Sequence, residues 1–163
     1  MHGDSALFEL LCLEGAQAGL SWSSILQRRE SYREAFDGFD YKKIAQYGPD
    51  RSTVLLQNPG IIRNRAKVAA FISNAQAVLK VRENGTTLDD LLWSFVNGAT
   101  IVNSWTSMSE VPPHTAESNK MSSELKKLGF SFVGPTICYA FMQSAGMVND
   151  HLVECFRYNE LVS

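Results

Sequence analysis

Apolar residues recur at three- and four-residue spacing along most of the chain, and alternation with a period of two is nearly absent, so the pattern predicts an all-α fold. The first stripe passes through Leu7, Leu10, Leu11 and Ala18, in a helix that Asp4 or Ser5 can cap and that ends near residue 18. Glu14 falls inside that stripe. A buried carboxylate left unpaired is costly, so it needs a cation, a set of donors or a ligand. Beyond it, Gly15 and Gly19 with the small Ala16 and Ala18 admit another backbone or a flat ligand. Ser21 can cap the next helix, which Trp22 opens. Two readings stay open here. Glu14 and Trp22 are either a satisfied core carboxylate and a core indole, or the hydrogen-bonding wall and stacking face of a site for a planar heterocycle.

That second helix is expected to run unbroken from Trp22 to Phe36, where the FDGFD turn stops it. Asp40 can cap a short helix through Ile44 and Ala45, which Pro49 is expected to close. Two units, at about 52–83 and 118–146, then read as helix pairs joined by glycine turns. In the first, NPGIIRNRAK gathers Arg63, Arg65 and Lys67, enough charge to follow a DNA strand. In the second, Ser118 can cap a helix that Gly129 ends, and FSFVGP leads into another closed by Gly146. Gly134 lets a backbone approach, Pro135 is pre-set for a first helical turn, and Thr136 adds a hydroxyl. Such a helix start suits a phosphate. Thr87 to Asp90 resembles a capping box, and residues 99–117 are expected to form a long irregular loop. Asn149 or Asp150 is expected to start a last short helix, placing His151 and Cys155 on one face as two potential zinc ligands.

At 163 residues the chain has room for one domain with a real core, and 45% hydrophobic with 20% charged residues is ordinary for a globular protein. The net charge of −2 provides no global basic field, so any nucleic-acid face must be local. Three cysteines and no signal-like start lead to the expectation of free thiols or metal ligands in the cytoplasm. No apolar run is long enough to span a bilayer, so no membrane partner is expected. Gly-rich phosphate loops, nucleophile elbows and histidine-paired nucleophiles are all missing, which leaves the chemistry to Glu14 or Asp150.

The strings LFELLCLEGAQAGLSW, NPGIIRNRAK, LLWSFVNG, LKKLGFSFVGPTICYAFMQSAG and VNDHLVEC together resemble the DNA-3-methyladenine glycosylase I family of helix-hairpin-helix base-excision enzymes. The resemblance covers nearly the whole chain and implies a monomer that acts on double-stranded alkylated DNA and releases 3-methyladenine. It implies that Glu14 hydrogen-bonds the flipped base and Trp22 stacks on it. The LGFSFVGPT hairpin would hold the DNA backbone, with Gly19 and Leu20 approaching the gap left by the extruded nucleotide. Related glycosylases place a catalytic aspartate near Asp150, but this family is thought to work without one, so Asp150 is expected to be a helix cap. The resemblance further implies an N-terminal segment that walls the base pocket and supplies a cysteine and a histidine to a structural zinc, alongside His151 and Cys155. The matching strings begin after that segment and His2 matches neither ligand, so half a zinc site and a partly open pocket are expected. The competing reading is a non-catalytic DNA-binding relative. A helical interaction module unrelated to DNA ranks behind both.

Overall fold

The helical periodicity is realised throughout the computed structural model, which describes residues 1–161. Its helices are α1 (Asp4–Gln17), α2 (Trp22–Leu26), α3 (Arg29–Ala35), α4 (Tyr41–Ile44), α5 (Pro49–Gln57), α6 (Arg65–Glu83), α7 (Leu88–Ser94), α8 (Ala116–Lys127), α9 (Pro135–Ala145) and α10 (Phe156–Glu160). The fold organises around α1, in which every residue from Leu7 to Ala16 is buried. It is wrapped by α2, α6, α7 and α9. A helix apolar on nearly every side belongs in such a position. One core cluster runs from Leu7 to Val148, with Phe8, Tyr32, Phe36, Phe39 and Phe71 meeting edge-on, tilted or stacked at its aromatic centre. Among the described residues no helix is long and apolar enough to cross a membrane.

Several expected boundaries move, two of them because a distant contact outweighs a local signal. Neither Asp4 nor Ser5 caps α1; Gly3 does, at φ 93°. Asp4 instead accepts from the Asp89 amide at 3.0 Å and from Arg82 at 2.7 Å, while Asp89 accepts from the Gly3 amide at 2.5 Å. The starts of α1 and α7 thus exchange carboxylates. The helix expected over 22–36 breaks between α2 and α3, and α3 presents Arg29 and Arg33 to Glu9 at 2.6 and 3.0 Å. Pro49 opens α5 at its first turn rather than closing α4, where its missing N–H costs nothing.

Residues 99–117 are not irregular throughout. Strand β1 (Ile101–Val102) pairs in parallel with β2 (Val148–Asn149), and a helical turn covers Met108–Glu110. Thr115, not Ser118, caps α8; Ser118 sits three residues on and closes a capping box with it. No helix begins at Asn149 or Asp150, and His151 and Cys155 lie on a turn ahead of α10.

Candidate functional site

Glu14 lies in the third turn of α1 and is 2% exposed. Ser144 Oγ, in the last turn of α9, donates to its Oε1 at 2.7 Å. No other donor and no cation reaches Glu14 among the described residues. Glu9, also on α1 and buried, shows the alternative, because Arg29 and Arg33 both bind it. Burial pushes the Glu14 carboxyl up from its ordinary value, and the Ser144 hydroxyl offsets part of that rise. A carboxylate so placed has spare acceptor capacity and no counter-ion.

The turn after α1 is held from the first hairpin unit. Lys67 Nζ, from the first turn of α6, donates to the carbonyls of Ala16 and Ala18 at 2.8 Å each. A cation at a helix C-terminus satisfies orphan carbonyls and complements the dipole. Lys67 is therefore buried in the fold and is not part of an exposed basic run. Gly19 takes φ 75°, and Leu20 at the tip is 41% exposed. Ser21 then caps α2, accepting from the Ser24 amide at 3.3 Å, and Trp22 follows half-buried at the first helical position. The close approach expected at Gly15 is to protein rather than ligand. A Cβ there would meet Phe132 Cβ at 3.1 Å and its carbonyl oxygen at 3.3 Å.

That contact joins α1 to the connector between α8 and α9. Phe132 has φ 56°, a conformation that costs a non-glycine residue about 1–3 kcal/mol and persists only where its surroundings impose it. The bracing is visible. Asn74 of α6 accepts from the Ser131 amide at 2.7 Å and donates to the Ser131 carbonyl at 3.2 Å. Ser122 Oγ donates to the Val133 carbonyl at 2.6 Å. Gly134 caps α9 without a side-chain bond to the helix start, and nothing lies within 4 Å of where its Cβ would be. Thr136 is exposed beside it. The first amides of α9 are thus open to an anion. In the other hairpin unit a Cβ on Gly60 would meet Ser31 Cβ at 2.9 Å, so that glycine is required by internal packing. Arg63 and Arg65 remain exposed there, with no ion pair among the described residues.

Asp150 is not a helix cap. It accepts from Tyr139 at 2.5 Å, Asn103 at 2.6 Å, Trp105 at 2.7 Å and Gln143 at 2.8 Å, tying the 101–105 segment to α9. Desolvation pushes its carboxyl up, but the bonds from Tyr139, Trp105, Gln143 and Asn103 outweigh that and hold it below its ordinary value. Next to it, His151 Nδ1 and Cys155 Sγ approach to 3.7 Å. Zinc with sulfur at about 2.3 Å and nitrogen at about 2.1 Å in tetrahedral geometry separates two such donors by about 3.6 Å, so the pair fits two vertices of a site. No cluster of three or more candidate ligands occurs among the described residues. A cavity of about 620 Å³ opens beside the pair, lined by Met108, Gln143, Val148 and Leu152 among others, and includes neither Glu14 nor Trp22.

Sequence reasoning missed Ser144 and Asn74, took Lys67 for part of a DNA-following basic run, and weighed Asp150 only as a catalytic group or a helix cap. Each acts across at least 45 residues of chain, and no local pattern marks such a pairing.

The methyladenine glycosylase family model matches residues 1–158. The chain is 50% identical over 152 residues to DNA-3-methyladenine glycosylase 1 of Escherichia coli (strain K12), a match covering 93% of this chain and 81% of that protein. Among solved structures it superposes on a crystal structure of 3-methyladenine DNA glycosylase I with TM-score 0.94 at 47% identity, covering 96% of this chain and 86% of that one. A variant of 3-methyladenine DNA glycosylase I in complex with 3-methyladenine gives TM-score 0.92 at 35% identity, covering 96% and 84%.

Proposed function

We infer the activity from the premise that the match establishes: the chain belongs to the methyladenine glycosylase family. It is a DNA repair glycosylase that hydrolyses the N-glycosidic bond of 3-methyladenine in alkylated DNA, releasing the base and leaving an abasic site. The observation that carries this reading is Glu14, a buried carboxylate with one hydroxyl donor and no cation, in a chain half-identical to a DNA-3-methyladenine glycosylase. A relative of similar fold binds 3-methyladenine, and the E. coli protein carries the glycosylase name. Both favour catalysis over a non-catalytic DNA-binding role.

The chemistry follows from charge. An enzyme acting on a base takes it out of the stack, and a damaged base unstacks at lower cost. Adenine alkylated at N3 carries positive charge in DNA and is already a good leaving group. Its bond to the sugar breaks with the electron pair going to the base, and water adds to the oxocarbenium-like carbon and loses a proton to solvent. Glu14 attracts and hydrogen-bonds the cation in a medium of low dielectric, which selects it over neutral adenine. Trp22 stacks on the ring. The open start of α9 at Gly134, Pro135 and Thr136 takes a DNA phosphate, with Arg63 and Arg65 supplying further charge. Gly19 and Leu20 enter the gap in the duplex. Asp150, saturated by four donors, anchors a loop rather than activating water.

His151 and Cys155 would hold zinc as two of its four ligands, and the metal would brace the 150–155 turn without entering the hydrolysis. The protein works as a single-domain monomer in the cytoplasm. Titration calorimetry with 3-methyladenine tests the central assignment. The wild type should bind, and Glu14→Gln should fold normally and bind at least tenfold more weakly, the loss expected for one charge-assisted hydrogen bond. Equal affinities would remove Glu14 from the site.

A further inference from the structure

Helix α9 serves two ends. Its first turn carries the open hairpin start and its last turn carries Ser144, nine residues on, or about 14 Å along the axis. The far end is fixed in place. Gly146 closes the helix at φ 80°, the Met1 amino group donates to the Ala145 carbonyl at 2.7 Å, and Asp150 holds Gln143. Ser144 itself is exposed, so core packing does not account for its orientation. Its hydroxyl makes a single bond, 2.7 Å long, to a carboxylate 130 residues away.

We propose that Ser144 is a positioning residue for base selection: its hydroxyl fixes one Glu14 oxygen, aims the other at the base, and keeps the group in the form that attracts a cationic ring. The proposal rests on the function inferred above and extends it to a residue that acts through Glu14.

Among the described residues no other charged group on the elements around Glu14 bonds to it: on α6, Arg65 is exposed, and the groups nearest the core are engaged elsewhere. On α1, Asp4 pairs with Arg82 and Glu9 with Arg29 and Arg33. From α6, Lys67 is spent on the Ala16 and Ala18 carbonyls, and from α7, Asp89 binds His2 and the Gly3 amide. Helix α2 has no charged side chain, and on α9 the titratable groups are Cys138, which donates to the Val133 carbonyl, and Tyr139, which donates to Asp150. Ser144 is left as the group that opposes the effect of burial on Glu14. Removing its hydroxyl lets that effect act alone, so the carboxylate takes up a proton at higher pH.

The test is 3-methyladenine affinity across pH 5–8 for the wild type, Ser144→Ala, Ser144→Thr and Glu14→Gln, with the ligand's own titration common to all four. Loss of one bond to a charged acceptor predicts about tenfold weaker binding for Ser144→Ala at neutral pH. The acid limb of its profile should move up by about one pH unit. Ser144→Thr, which keeps the hydroxyl, should restore both. A wild-type affinity and profile for Ser144→Ala, with Glu14→Gln still impaired, would overturn the role of Ser144 and leave the function standing. Absence of binding by the wild type would overturn both. A weaker Ser144→Ala with an unmoved acid limb and no rescue by threonine would also refute the proposal, because that pattern marks a general packing defect.

Discussion

Two glutamates on one helix show how surroundings set a residue's task. Glu9 meets two arginines and is a structural ion pair, whereas Glu14, more deeply buried, meets one serine. The raised carboxyl pKa of Glu14 has a consequence for stability. A group that binds its proton more tightly when folded stabilises below its unfolded pKa, and that stabilisation is lost as pH rises through the folded value. At neutral pH the ionised Glu14 is therefore a burden on the fold. Thermal unfolding of Glu14→Gln should occur at an unchanged or higher temperature at pH 7, and the gain over wild type should vanish near pH 4 as the wild-type carboxyl is protonated. Trp22→Ala should weaken 3-methyladenine binding by about 1–3 kcal/mol, the usual worth of aromatic stacking on a base, in the same calorimetric titration. The stripe of Leu7, Leu10 and Leu11 made the burial of Glu14 legible in the sequence. Its partner was not, because nothing within helical reach of Glu14 points to Ser144.

At the scale of elements, what the sequence made legible were features with local causes. Ser21, Asp40 and Thr87 cap helices where expected, and Pro135 and Gly146 bound α9. The break between α2 and α3, the true cap of α1 and the hub at Asp150 escaped because each depends on a residue far along the chain. The same long contacts now make predictions. Gly15→Ala forces a methyl against Phe132, so α1 and the hairpin must part by a few tenths of an ångström. Overpacking of this kind costs about 1–3 kcal/mol, readable as a lower urea midpoint. A Cβ at Gly134 meets no protein atom within 4 Å, so Gly134→Ala should nearly hold its urea midpoint while affinity for abasic-site DNA falls. A matched loss of both would return Gly134 to a structural role.

For the whole molecule, an acidic total charge must coexist with the proposed DNA-binding face, which requires the contacts to be few and localised. Arg63→Ala and Arg65→Ala should each reduce the slope of log affinity against log salt by about 0.9, the release of one phosphate's counterion, when binding to abasic duplex is measured. An unchanged slope would place these arginines off the DNA. The fold links the proposed base site to the proposed DNA-holding hairpin through α9 and the close packing of Gly15 against Phe132. The most direct test of that account is release of free 3-methyladenine from methylated duplex DNA by this 163-residue protein, with Glu14→Gln alongside. The account predicts release by the wild type and a strong loss in the variant. No release from folded wild-type protein, or equal release by both, would contradict it.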